Sequence, residues 1–177
     1  MGVDYSKTLR GAIAGALAAG VWAAQMPLDK RAFGSEFDDV ALLGKALTRG
    51  GAWPIAGWAL HLQNGALFGA AYANLAPRLP LPSWARGPLA ASAENVITWP
   101  LTALTDRMHP ARKEMPTLFA NPRAFAQSTW RHLLFGVVLG EIERRLNAPV
   151  AVEAPSYADV AASNGHGTFE PAIISVG

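Results

Sequence analysis

HLQNGALFGAAYANL, residues 61–75, is the stretch whose reading decides the fold. It carries no charge, and His61, Gly65 and Gly69 fall four residues apart, so in a helix they stack along one side. Residues 132–146, HLLFGVVLGEIERRL, repeat it in register as H-L-x2-G-x3-G-x5-L. Upstream of each copy a tryptophan precedes an aspartate and a basic residue at equal spacing, Trp22 with Asp29-Lys30 and Trp99 with Asp106-Arg107. Glycine, alanine and leucine are abundant enough for the downstream match alone to recur by chance. The matching tryptophan-to-aspartate spacing is what turns it into a tandem duplication of a two-helix unit.

Working outward, residues 11–28, GAIAGALAAGVWAAQMPL, also lack any charge, over about the length that spans a bilayer. A cleaved signal peptide competes, because Lys7 and Arg10 precede the apolar run. However, the Trp22–Asp29 end has a counterpart in mid-chain, where no signal peptide can lie. Residues 53–75 form the second long uncharged run, with Pro54 in its first turn. A proline-rich break over 77–88 leads to a third helix, and Asn121-Pro122 opens a fourth. The expected helices are about 9–28, 53–75, 88–104 and 123–146. In the polar connection 29–52, Ser35 and Asp38 are spaced as a capping box, and Val40, Leu43 and Leu47 give a short helix one apolar side. Such a helix suits an interface or a lid on the bundle. Residues 148–177 have no Lys or Arg and no helical period, the mark of a disordered tail.

Charged residues make up 16% of the chain, against about 25% in soluble globular proteins, and they concentrate outside the apolar runs. Gly11/Gly15, Gly65/Gly69 and Gly136/Gly140 repeat the small-residue spacing that lets membrane helices approach closely, and Trp53 and Trp84 fall at expected helix ends. The chain therefore reads as all-α: a four-helix transmembrane bundle, multi-pass in the cell membrane, with the lipid bilayer as its partner. Self-association through the glycine faces, as a homo-oligomer or in a larger membrane complex, is the accompanying expectation. A soluble Ala-rich bundle is the alternative. Gln63, Asn64, Glu94, Arg131 and His132 favour it, since an Arg at a span centre costs about 2.5–3.5 kcal/mol. Against it, the first helix has no charged face to offer water. A net charge of +2, scattered in ones and twos, excludes a nucleic-acid stripe. The absence of cysteine excludes disulfides, thiolate metal sites and thiol nucleophiles.

The residues able to carry chemistry form an expected polar layer: His61 and His132 on equivalent helices, Asp29 and Asp106 at helix exits, and Glu94 inside the third helix. Three readings stand open. Each histidine bonds across a tight helix contact while each aspartate caps an exit; the layer moves protons or ions; or the paired imidazoles hold a heme or a metal. No HExxH, clustered ligand set or Ser-His-Asp grouping occurs, so no catalytic residue, resident metal or cofactor is assigned. The expected function is a scaffold or accessory membrane protein, with a proton- or ion-linked carrier as the alternative and heme or metal binding after it.

The run GAIAGALAAGVW, PLDKRAFG, DDVALLGKALTRG, HLQNGALFGAAYANLAP and WRHLLFGVVLGEIERRLN resembles uncharacterised small bacterial membrane proteins. It is similar to the YagU-type inner-membrane family in its small-residue helices and its H-x3-G-x3-G texture, over about residues 8–147. The resemblance implies a four-span membrane protein and carries no activity and no site residue.

Overall fold

The computed structural model describes residues 4–148, and among these all regular structure is helical. Helix α1 runs Tyr5–Phe33, α2 Asp39–Leu47, α3 Trp53–Leu75, α4 Ser83–Thr98, α5 Thr102–Met108 and α6 Pro122–Leu146. Apart from Ala148, the tail expected over 148–177 lies outside the described residues. Helix α3 has the expected bounds and α6 starts one residue early. Helix α1 overshoots 9–28 at both ends because its termini are well capped: the Asp4 carboxylate accepts from the Lys7 N–H, and Gly34 closes the far end in the left-handed region (φ 57°).

The third helix departs most from expectation. Pro88 lies inside α4 instead of opening it, and the α-helix gives way at Trp99–Leu101 to a 3-10 turn before α5. Pro100, which has no N–H to donate, lies in that 3-10 turn and the α pattern resumes at Thr102, whereas Pro27 and Pro88 are carried inside α1 and α4. In the connection after α1, the N-cap of α2 is Asp38 itself, which accepts from the Ala41 N–H at 2.8 Å. Ser35 therefore starts no capping box; its buried Oγ has no partner among the described residues. Burial works against the Asp38 carboxylate, but the hydrogen bonds from Lys30 and Ala41 outweigh it and hold its pKa below the usual value. The packed side of α2 is Val40 and Gly44, with Leu47 exposed, so the short helix is a lid seated on α3.

Two helix pairs build the body. Helices α1 and α3 cross where Gly11 and Gly15 face Gly69 and Gly65; a Cβ on Gly11 would stand 2.5 Å from the Gly69 carbonyl oxygen. Helices α4 and α6 cross where Gly87 meets Gly136 and Gly140. Each copy of the repeat thus spends its glycine face on its own partner helix. Self-association would have to use another surface. The pairs join through α1 and α6. A strict two-fold would repeat that contact between α3 and α4, but these two helices hardly touch. The symmetry breaks because Arg131, which ties α6 to α1, aligns with Leu60 in the first copy.

The helices bury small and polar residues beside a core of Trp22, Met26, Tyr72, Phe135 and Leu139, and leave many aliphatic side chains exposed. The interior holds Ala14, Ala18, Ala91 and the crossing glycines together with Asp29, His61, Asn95, Gln127 and Arg131. The outside carries Leu9, Ile13, Leu17 and Val21 in a stripe along α1, Ile55 and Leu67 on α3, Val96 and Ile97 on α4, and Leu133 and Val137 on α6. By length and composition, α1 is the one described helix apolar enough to cross a membrane. Helix α4, at 16 residues, is too short for that measure, and α3 and α6 are too polar for it; in α3 His61 is buried but Gln63 and Asn64 are exposed, and in α6 Gln127 and Arg131 are buried.

Candidate functional site

At one end of the α1–α6 seam lies an ion-pair network in which Arg131 and Asp29 are buried and Asp39 is partly so. The Arg131 guanidinium has no exposure. Its Nε and Nη2 donate to the two oxygens of Asp29 at 2.6 Å each, Nη1 donates to Asp39 at 2.6 Å, and Nη2 also reaches the Phe37 carbonyl at 3.0 Å. The Gln127 amide donates to Asp29 at 2.7 Å. The fork geometry of an arginine suits this bidentate grip. Since α6 supplies the cation while α1 and α2 supply the anions, the network fastens the lid and the two helix pairs at one point.

Next to it a cavity of ≈ 230 Å³ occupies the gap between α3 and α4. Its floor is Trp22, whose indole N–H donates to Asp39 at 3.0 Å. Both histidines of the repeat stand edge-on to this indole, His61 with ring centroids 5.4 Å apart and His132 at 4.6 Å. The expectation of two related histidines at one layer is therefore met in space, with Trp22 against both rings.

Hydrogen-bond partners fix where the protons are. The His61 Nε2 sits 3.1 Å from the Ala19 carbonyl, so it carries the hydrogen, and Nδ1 is left without a protein partner among the described residues. His132 faces the Ser128 carbonyl at 2.7 Å through Nδ1 and the Glu94 carboxylate at 2.9 Å through Nε2. Both partners are acceptors. His132 and Glu94 thus stand as a paired imidazole and carboxyl group, with the Ser128 hydroxyl also 3.4 Å from Nδ1. His109, in the loop after α5, differs: its Nδ1 accepts from the Ala111 N–H and its Nε2 donates to the Leu42 carbonyl, which pins the lid.

Comparison with known protein families, with curated proteins and with solved structures finds no match for this chain. The site is read from its own chemistry.

Asp29 and Glu94 belong to the layer as expected, but Asp106 does not. Its carboxylate accepts from the Leu118 and Phe119 N–H groups at 2.8–3.1 Å and organises the loop before α6. The break at Pro100 turns this aspartate out of line with Asp29. Replacing Asp106 by alanine should cost about 1–3 kcal/mol in thermal unfolding and leave any activity of the cavity unchanged. Asp39, beside the α2 N-cap Asp38, is a ligand of Arg131 and a wall of the cavity. The signal for it was available in principle: an arginine in a charge-poor helix has to find carboxylates. Which carboxylates it finds is a matter of chain path.

A heme or metal between the two imidazoles fits poorly. Both nitrogens of His132 are committed, one nitrogen of His61 is committed, and Trp22 lies against both rings. Among the described residues no group of three or more His, Cys, Asp and Glu side chains is placed to hold a metal ion.

Proposed function

We propose that this chain is a four-span integral membrane protein whose polar interior works as a proton- or cation-linked carrier module. The observation that carries the reading is the exposure of aliphatic side chains on α1, α3, α4 and α6 while Asp29, Arg131, Gln127, Asn95 and His61 are buried. A soluble protein buries its large aliphatic residues and seldom fully buries Arg and Asp, whereas helices in lipid turn small and polar residues toward each other. Charged side chains other than Arg131 and Glu94 are absent between Arg10 and Asp29, Lys45 and Arg78 apart from Arg49, Arg86 and Asp106, and Arg123 and Glu141. That spacing leaves a charge-poor belt with charged groups at both ends. Ionisable groups inside such a belt are costly and are retained for function. The His132–Glu94 contact at the cavity rim, 2.9 Å long, sets an imidazole against a carboxyl group, a pairing of the kind that hands protons on.

Two measurements test this. Alkaline carbonate extraction should leave the protein in the membrane pellet; recovery in the supernatant would remove the membrane reading. In proteoliposomes carrying a pH gradient, dye-reported proton movement should exceed that of empty vesicles, and Glu94→Gln should lower it by at least about tenfold, the scale of one lost charge-assisted contact. Movement that survives both Glu94→Gln and His132→Gln would sink the carrier reading.

A further inference from the structure

The cavity is lined by acceptors with very little left to donate. Asp39 presents a carboxylate of which one oxygen, Oδ2, takes both the Trp22 and Arg131 hydrogen bonds, and Oδ1 has no partner among the described residues. His61 offers Nδ1, and Glu94 a half-exposed carboxylate. The donors nearby are already used: the Trp22 N–H on Asp39, the His61 Nε2–H on Ala19, and the His132 ring on Ser128 and Glu94. Asn64 is the remaining side chain able to donate, and no Lys or Arg lines the space.

Charge points the same way. Arg131 faces two carboxylates, Asp29 and Asp39, while Lys30 balances Asp38 and Glu94 has His132 beside it. One negative charge is left over, on the side of the network that borders the cavity. Away from Asp39 the wall becomes apolar and aromatic, with Phe68 and Phe135 packed edge-to-face at 5.4 Å.

We propose that this cavity binds a small amphipathic organic cation, an ammonium group on a short hydrocarbon chain. The nitrogen sits among Asp39, Glu94 and the Trp22 indole, and the chain lies along Phe68 and Phe135. An ammonium brings three donors and no acceptor, the complement of this lining. An anion would find a surplus of negative charge and almost no donors. A bare divalent ion would lack a set of three converging ligands. The inference deepens the carrier reading and rests on it for the route of entry alone: a gap between α3 and α4 that faces lipid admits a ligand able to partition there.

The test is isothermal titration of the full-length protein in detergent with three probes of equal length, hexylammonium, hexanol and hexanoate. Hexylammonium should bind about tenfold more tightly than hexanol, one ion-pair's worth of discrimination, and hexanoate should bind more weakly than either. Glu94→Gln should erase most of the preference for hexylammonium over hexanol. If that variant does not fold, a series from ethyl- to octylammonium on the unmodified protein still decides the matter, because affinity should rise with chain length and then stop once the cavity is full. Hexanol or hexanoate binding as tightly as hexylammonium, no binding of any probe, or a preference untouched in folded Glu94→Gln would each overturn the proposal. A protein that stays in the carbonate pellet and moves protons but fails to prefer hexylammonium keeps the proposed function and loses this site. One that enters the supernatant yet prefers hexylammonium keeps the site and loses the membrane.

Discussion

Arg131→Met is expected to destabilise the folded protein by about 3–5 kcal/mol, the cost of breaking a buried ion pair by removing one partner. The side chain is fully buried and serves Asp29, Asp39 and the Phe37 carbonyl at once. Methionine fills much of the space but leaves two carboxylates without their cation. Thermal unfolding in a fixed detergent should show a drop on the order of 10 °C for a domain of this size. Asp29→Asn should do less harm, since an amide still accepts from Arg131 and Asp39 still neutralises it. If Arg131→Met unfolds within about 1 kcal/mol of the parent, the seam between the helix pairs is held by packing alone. Lys substitution should not rescue, because one ammonium cannot reproduce the fork that spans both aspartates.

The second large effect concerns glycines that look alike in sequence. Gly15→Ala should destabilise by about 1–3 kcal/mol, the usual cost of overpacking, because its Cβ would run into the Gly65 carbonyl of a helix that cannot retreat without separating α1 from α3. Gly20→Ala, one turn and a half further along the same helix, should stabilise by about 0.5–1 kcal/mol, since its nearest neighbour is a Leu62 methyl at 3.9 Å. Within the repeat the contrast recurs. Gly69 is jammed against the Gly11 carbonyl, but a Cβ at its counterpart Gly140 would meet the Tyr72 hydroxyl at an ordinary 3.5 Å. Gly140→Ala should therefore be tolerated where Gly69→Ala is not. Unfolding curves for the four variants under one condition would check the ordering, and equal losses at Gly15 and Gly20 would contradict the crossing geometry.

The candidate site was legible in part. His61, His132, Asp29 and Glu94 stand out because polar groups in charge-poor helices are conspicuous, and all four belong to the network or its cavity. Asp39 was hidden beside Asp38, since two adjacent aspartates at a helix start are ordinary capping chemistry, and only the fold back onto α6 gives one of them a buried role. Asp106 was over-read for the opposite reason: equal spacing from a tryptophan suggests equal position, but Pro100 bends the chain between them. Trp22, read as packing, turned out to be the floor that both histidines share.

Taken alone, the amino-acid sequence indicated the helical class, the long helices α1, α3 and α6 and their small-residue crossing faces. These follow from periodicity, capping and glycine spacing, which act over a few residues and need no partner. Tertiary structure decided the rest: which carboxylates Arg131 takes, why α3 and α4 stand apart, and where the resulting cavity faces. A buried charge must be matched by whichever opposite charges the chain path delivers. In this molecule that pairing closes one seam between the two copies and leaves the other open.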